Sequence, residues 1–145
     1  MKRSIATVTM SGTLPQKLEA AAAAGFDAVE LFDNDLFQFY GTPQDVREIA
    51  DGLGLKILAL QPFRDLEGMP KDLFKKKLYH LQRRLEMMHE LGTDRILLCS
   101  NVQSYASDDR VQCAEDLYMA AELAAKEGFI MGYEALSWGR HIADY

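Results

Sequence analysis

The sequence is poor in the features that mark secreted and membrane proteins. Its 145 residues include only two cysteines, Cys99 and Cys113, which are too few for a disulfide framework. Cys99 ends an apolar run and is expected to be a buried small hydrophobic residue. No apolar run approaches the roughly 20 residues of a membrane span, and the first residues are too polar for a signal peptide. We therefore expect a cytoplasmic protein with no membrane partner.

Positive charge is also scarce. The 16 lysines and arginines face 22 aspartates and glutamates, so the formal net charge is −6. An acidic protein is a poor partner for nucleic acid, because nucleic-acid surfaces require clustered Lys and Arg. The densest basic run, residues 71–84, has apolar residues between its charges and is predicted to be a solvated helix face. The composition, 48% hydrophobic and 26% charged, is that of a soluble globular domain.

One pattern repeats four times and predicts the architecture. A helical stretch ends in glycine, at Gly25, Gly54, Gly92 and Gly128, and a short apolar run begins soon after it. Glycine suits the left-handed position just past a helix end, and continuous apolar runs are typical of parallel strands that are covered on both faces. The five predicted strands are residues 4–9, 28–32, 56–60, 95–99 and 130–134.

Helix start signals occupy the segments between these strands. Thr13 and Gln16 fit a capping box, and Thr42 precedes a proline at the first helical position. Pro70 opens a long segment with an apolar stripe, and residues 107–109 precede a fourth helical pattern. We therefore expect one helix between each pair of consecutive strands.

Alternating strands and helices predict a parallel sheet with right-handed crossovers. Length favours an open, doubly wound sheet, because an eight-fold barrel typically needs about 250 residues. Loop content favours a barrel, since neither a G-x-G-x-x-G fingerprint nor a P-loop occurs in the chain. The spacing of the elements alone leaves both folds open.

Polar residues collect in the loops that follow the strands, which is where parallel βα folds bind ligands. Within the loop after the second strand, residues 33–35 are interpreted as turn-forming residues. They are not interpreted as part of a calcium-binding loop, because such a loop would need a glycine and a downstream glutamate. Glu134 ends the fifth strand, a position at which βα folds place metals and catalytic acids. A ligand site is therefore predicted at this end of the sheet.

Two segments carry a specific similarity, and three further segments support it. Residues 61–65 read Gln-Pro-Phe-Arg-Asp, and residues 132–141 read Gly-Tyr-Glu-Ala-Leu-Ser-Trp-Gly-Arg-His. With residues 12–14, 30–32 and 99–103, they resemble the 3-dehydroshikimate dehydratases of quinate and shikimate catabolism, which belong to the xylose isomerase-like barrel superfamily.

The resemblance implies an α/β fold of the (β/α)8 TIM-barrel type. Residues 1–145 would be the N-terminal portion of a single barrel domain, with about the first five βα units, β1 to β5, and strands 6–8 absent. The implied reaction is metal-dependent dehydration of the small-molecule substrate 3-dehydroshikimate to protocatechuate. The implied cofactor is a divalent cation, Mg²⁺, Mn²⁺ or Co²⁺, which would stabilise an enolate formed when a base removes a proton next to the ketone.

The resemblance also suggests roles for individual residues. Glu134 matches the family's first metal ligand, and the general base is expected beyond residue 145. The expected substrate-binding residues are Arg64, Asn101, Gln103, Trp138, Arg140, His141 and Glu30. Arg64 would pair with a substrate carboxylate, the two amides would hold hydroxyl groups, and Trp138 with Phe63 would wall the ring. Plainer interpretations stay open, in which Glu134 and Glu30 are structural and Arg64 forms a salt bridge with Asp65 or Glu67.

The sequence leaves three alternatives to this function for comparison. A sugar isomerase or epimerase on the same barrel is the main enzymatic alternative. An apurinic endonuclease is disfavoured, because it would need a basic rim and several histidine ligands, whereas the chain is acidic and has three histidines. A half-barrel without activity, which forms a homo-oligomer through its open sheet edge, is the non-enzymatic alternative.

Overall fold

A computed structural model describes residues 1–144, which divide into two compact units. The first unit comprises Met1–Gln61 and Met87–Arg95, and the second comprises Pro62–Glu86 and the residues from Ile96 onward. None of the helices in the described residues is long and apolar enough to cross a membrane.

The chain alternates strands and helices as predicted. The strands are β1 (Ser4–Ala6), β2 (Ala28–Phe32), β3 (Lys56–Arg64), β4 (Arg95–Cys99) and β5 (Ile130–Glu134). The helices are α1 (Leu14–Ala23), α2 (Asp33–Phe37), α3 (Pro43–Gly52), α4 (Lys71–Leu91) and α5 (Arg110–Lys126).

The order of the strands decides between the two folds that the sequence left open. They form one sheet in the order β1-β2-β3-β4-β5, and β2 pairs in parallel with both β1 and β3. A doubly wound sheet reverses its strand order at a switch point, whereas the strands of a (β/α)8 barrel follow one another in sequence order. The prediction of barrel-type βα units is confirmed.

The repeated glycines do what the sequence pattern requires of them. Gly25, Gly54, Gly92 and Gly128 have φ angles of 77°, 72°, 70° and 81°, in the left-handed region where a side chain is strained. Each follows the end of a helix, so the chain turns there and enters the next strand.

The predicted helix starts are confirmed by their capping contacts. The Thr13 N–H donates to Oε1 of Gln16 at 2.9 Å. At the start of α3, the Thr42 N–H donates to Oδ2 of Asp45 at 2.7 Å, and the Asp45 N–H donates to Oγ1 of Thr42 at 3.2 Å. The Asp109 carboxylate accepts from the main chain at the start of α5. These contacts satisfy N–H groups that a helix start otherwise leaves without partners.

Each unit has its own buried apolar residues. In the first unit they include Leu18, Val29, Leu31, Val46 and Leu55. In the second they include Leu66, Leu81, Leu85, Leu98 and Ala120. The apolar stripe predicted for the long helix is real, since its residues at three- and four-residue spacing are buried while most of its lysines and arginines are exposed.

Three local predictions were wrong. The first strand ends at Ala6, and residues 7–9 form a 3₁₀ turn, because Oγ1 of the buried Thr7 accepts from the Phe32 N–H at 2.9 Å in place of a strand contact. The third strand continues to Arg64, so residues 61–64 are strand and not loop. Residues 33–35, expected to be a turn, begin helix α2, where two aspartates in the first turn favour a helix start.

Candidate functional site

The carboxylate that ends β5 lies beside the thiol that ends β4. Oε2 of Glu134 is 3.5 Å from Sγ of Cys99, and the carbonyl oxygen of Glu134 accepts from the Ser100 N–H at 3.0 Å. Cys99 is 2% exposed, which agrees with the expected buried residue. Burial, and then the neighbouring Glu134, raise the pKa of Cys99 to about 11. Cys99 is therefore a neutral thiol at neutral pH and a poor nucleophile or metal ligand there.

A second carboxylate, Glu67, lies in the buried loop after β3. Its side chain is 2% exposed. Oε1 of Glu67 accepts from the Asn101 N–H at 2.5 Å and from the Tyr133 hydroxyl at 2.9 Å. Its main-chain oxygen also accepts from Nδ2 of Asn101, at 2.8 Å. One residue therefore connects the end of β3, the loop after β4 and strand β5.

Burial also alters the acidity of this group. It raises the pKa of Glu67, and the hydrogen bonds from Asn101 and Tyr133 offset part of that rise. Oε2 of Glu67 is buried and has no hydrogen-bond partner among the described residues. The pKa of Tyr133 is raised as well, first by burial and then by the negative charge of Glu67, so the tyrosine stays a hydrogen-bond donor.

Asn101, one of the expected substrate residues, uses its amide for the protein's own main chain. Nδ2 donates to the Glu67 carbonyl oxygen, and Oδ1 accepts from the Gln103 N–H at 2.9 Å. The main-chain oxygen of Asn101 accepts from the Arg140 N–H at 2.7 Å. The structure thus links three expected substrate residues, and Asn101 is the one at their centre.

The Gln103 side chain is also held in place. Nε2 of Gln103 donates to Oδ2 of Asp65 at 3.0 Å, and the Val102 N–H donates to Oδ1 of Asp65 at 3.1 Å. Asp65 has a φ angle of 56°, a conformation that costs a non-glycine residue on the order of 1 kcal/mol. Its carboxylate contacts offset this cost and fix the loop after β4.

Arg64, the expected partner of a substrate carboxylate, ends β3 with an exposed side chain. Its main-chain oxygen accepts from Nζ of Lys77 at 2.8 Å, and Lys77 also lies 5.7 Å from the ring centre of Phe63. Asp65 and Glu67, the alternative partners of Arg64, bind donors of the loop after β4. The Arg64 side chain is exposed to solvent, and its contact with a substrate stays a prediction.

The segment after β5 is tightly folded around a glycine. A Cβ atom at Gly139 would collide with the main-chain oxygen of Ile142 and lie 2.5 Å from Oγ of Ser100. Trp138 is 65% exposed, and its role beside a substrate ring stays a prediction. Nε2 of His141 lies 3.0 Å from the Ala106 carbonyl oxygen, a contact that orients the ring.

Glu30, the remaining expected substrate residue, belongs to the first unit. Its carboxylate accepts from Nε2 of Gln61 at 3.1 Å and from Oγ of Ser4 at 3.3 Å. The side chain is half-buried in the middle of β2.

A divalent cation requires several ligands, and the described residues offer few of them together. Residues 1–144 contain no group of three or more His, Cys, Asp and Glu side chains placed to hold a metal ion. Glu134 alone is not a complete set, because Mg²⁺ and Mn²⁺ prefer several hard oxygen ligands. The described residues therefore do not by themselves form a complete site for such a cation.

Sequence reasoning missed Glu67 and Tyr133 as members of this cluster. A signal was present, since Glu67 is the single charged residue of a short segment, residues 66–69, that is otherwise leucine, glycine and methionine. A charged residue in such a segment is rarely buried without a partner. The partners themselves, 34 and 66 residues away in the chain, depend on the tertiary fold.

Comparisons with known proteins agree with the resemblance drawn from the sequence. A profile of the family described as xylose isomerase-like TIM barrel matches residues 18–144. The chain is 52% identical over all 145 residues to a 3-dehydroshikimate dehydratase of Pseudomonas putida, of which it covers 23%. It is 53% identical over 142 residues, or 98% of the chain, to a 3-dehydroshikimate dehydratase of Pseudomonas aeruginosa, of which it covers 22%. The chain spans less than a quarter of the length of these relatives.

Solved structures extend the likeness to the fold. One is a xylose isomerase-like TIM barrel/4-hydroxyphenylpyruvate dioxygenase fusion protein, with a TM-score of 0.95 and 53% identity over 98% of this chain and 23% of that one. Another is the IOLI protein with a binding zinc atom, with a TM-score of 0.81 and 16% identity over 92% of this chain and 51% of that one. At the lower identity the likeness concerns the fold alone.

Proposed function

Because the chain belongs to the xylose isomerase-like TIM barrel family, we propose that the protein dehydrates 3-dehydroshikimate to protocatechuate. The observation that carries this proposal is the identity of 52% and 53% to two relatives that bear the name of that activity. The proposal places the protein in the breakdown of quinate and shikimate.

The reaction has chemical requirements that can be compared with the site. A base must remove a proton next to the ketone, the developing enolate oxygen must be stabilised, and a hydroxyl group must leave as water. In the proposal Arg64 binds the substrate carboxylate, for which its exposed guanidinium at the end of β3 is suited. Gln103 contacts a substrate hydroxyl group from the loop that Asp65 and Asn101 hold. The general base is not assigned to any described residue.

We also propose that the reaction depends on a divalent cation and that Glu134 contributes one ligand. The half-buried carboxylate at the end of β5 is chemically suited to a hard cation. No reaction step is assigned to the cation, since the described residues lack the further ligands of a complete site.

The proposal is tested by following the product and three variants. The protein is incubated with 3-dehydroshikimate and Mg²⁺, Mn²⁺ or Co²⁺, while near-ultraviolet absorbance reports an aromatic product. Arg64→Lys should raise KM, because Lys lacks the two-pronged contact, and Glu134→Gln should lower the turnover that each cation supports. The matched control is Glu122→Gln, since Glu122 is exposed on α5. Isomerisation of the substrate without loss of water would instead support a sugar isomerase or epimerase.

A further inference from the structure

We propose that Glu67 is a positioning residue of the candidate site, which holds the loop after β4 and strand β5 in the arrangement that substrate binding requires. This inference rests on the proposed function and adds a residue to it. Glu67 reaches both neighbours from the loop after β3, through three hydrogen bonds to Asn101 and Tyr133.

The hydrogen bonds between Glu67 and Asn101 fix expected substrate residues. Glu67 binds Asn101 from two sides, through the main-chain N–H and through Nδ2. Asn101 in turn accepts the N–H groups of Gln103 and Arg140. A displacement of Asn101 would therefore move two residues that are expected to touch the substrate.

The hydrogen bond between Glu67 and Tyr133 reaches strand β5. The Tyr133 hydroxyl donates to Oε1 of Glu67 at 2.9 Å, and Tyr133 directly precedes Glu134. The Asn101 N–H and the Tyr133 hydroxyl donate to the same carboxylate oxygen. The end of β5 and the loop after β4 are therefore held at a fixed separation. Two hydrogen bonds to one buried acceptor are more directional than apolar packing would be.

Glu67 does not itself touch substrate. Its side chain is 2% exposed, and the cavity that it lines with Asn101, Ser107 and His141, among others, measures only about 10 Å³. A cavity of that size has room for about one water molecule. The carboxyl group therefore acts through its neighbours and is not a catalytic residue.

The test compares three replacements of Glu67 in the intact protein. Glu67→Gln keeps an oxygen that can accept both hydrogen bonds, so kcat/KM should stay within about 3-fold of the wild type. Glu67→Leu keeps the approximate volume and removes the acceptor, so kcat/KM should fall about 10- to 100-fold, as expected for a displacement near 1 Å. Glu67→Asp shortens the side chain, so its kcat/KM should lie between the values of the other two variants. The control is Glu122→Gln on the surface of α5.

A second readout separates positioning from mere stabilisation. Trp138 is the single tryptophan of the chain and lies four residues after Glu134, so its quenching by iodide reports the segment after β5. Glu67→Leu should change this quenching below its melting temperature, whereas Glu67→Gln should not. If Glu67→Leu only lowers the melting temperature while the folded protein keeps wild-type kcat/KM and quenching, the positioning role is wrong.

Two safeguards keep the result decisive. If Glu67→Leu does not fold, Tyr133→Phe removes one of the two bonds to Oε1 and should lower kcat/KM about 3- to 10-fold, with Tyr118→Phe on the exposed face of α5 as its control. Wild-type activity after Tyr133→Phe would overturn the proposal. If the wild type itself shows no dehydratase activity, the proposed function fails, and Trp138 quenching together with hydrogen exchange at the Asn101 N–H still decides whether Glu67 holds this arrangement.

Discussion

Two glycine-to-alanine substitutions, at Gly132 in β5 and at Gly139 in the segment after it, should differ sharply in their effect. At Gly139 a Cβ atom would collide with the main-chain oxygen of Ile142 and lie 2.5 Å from Oγ of Ser100, whereas ordinary contacts begin at 3.4 Å. Relief requires the main chain to move by roughly 1 Å, because a backbone oxygen cannot rotate away. At Gly132 the nearest atom to a new Cβ is Cδ1 of Leu97, at 3.6 Å, which leaves room for a methyl group.

The expected magnitudes follow from these distances. Gly139→Ala should lower the free energy of unfolding by about 1–3 kcal/mol, as overpacking does, and lower kcat/KM by up to about 100-fold, since Arg140 and His141 would be displaced. Gly132→Ala should change the free energy of unfolding by less than about 0.5 kcal/mol. Urea titration followed by circular dichroism gives the stabilities, and product absorbance gives kcat/KM. Equal effects of the two substitutions would refute the reasoning.

Three further predictions concern charge and metal binding. Lys17→Met should lower the free energy of unfolding by about 3 kcal/mol in urea titration, because it removes the partner of the largely buried Asp35 carboxylate, 2.7 Å from Nζ of Lys17. As a control, Arg83→Met removes an exposed ion pair and should lower the free energy of unfolding by less than about 0.5 kcal/mol. Equal losses for the two substitutions would contradict this. Burial raises the pKa of Glu67 above its ordinary 4.5, so its contribution to stability is present in acid and is lost as pH rises through the folded-state pKa. The free energy of unfolding of the wild type, relative to that of Glu67→Gln, should therefore fall as pH rises from about 4.5 toward neutrality. A difference that stays constant with pH would argue against this. Residues 1–145 as a monomer should bind Mn²⁺ with a Kd above about 1 mM in calorimetric titration, because the described residues give Glu134 too few partner ligands. Micromolar binding would show that the chain holds a site of its own.

Much of the fold could be predicted because its signals are local. The bounds of β2, β4 and β5 match the prediction, since each apolar run follows a helix-ending glycine and stops at polar residues. The bounds of β1 and β3 did not, because they depend on pairing between segments. The side chain of Thr7 takes up the Phe32 N–H and ends the first strand early, while Gln61 pairs beside Phe32 and extends the third.

The candidate site was predictable in its location but not in its contacts. The loops after the strands were expected to carry the chemistry, and those after β3, β4 and β5 contain a connected set of polar residues. Asn101 was expected to face a substrate, yet both ends of its amide bind the protein's own groups. Such contacts depend on backbone atoms brought together by folding, which spacing along the sequence does not encode. The roles of Arg64, Trp138 and Glu134 stay predictions.

The most direct test of the proposed function is the mass of the product. The protein is incubated with 3-dehydroshikimate and Mn²⁺, and the reaction mixture is analysed by mass spectrometry together with near-ultraviolet absorbance. The account predicts an aromatic product lighter than the substrate by one water, formed at a rate that Arg64→Lys lowers. A product of unchanged mass, or no turnover with Mg²⁺, Mn²⁺ or Co²⁺ at concentrations well above about 1 mM, would contradict it.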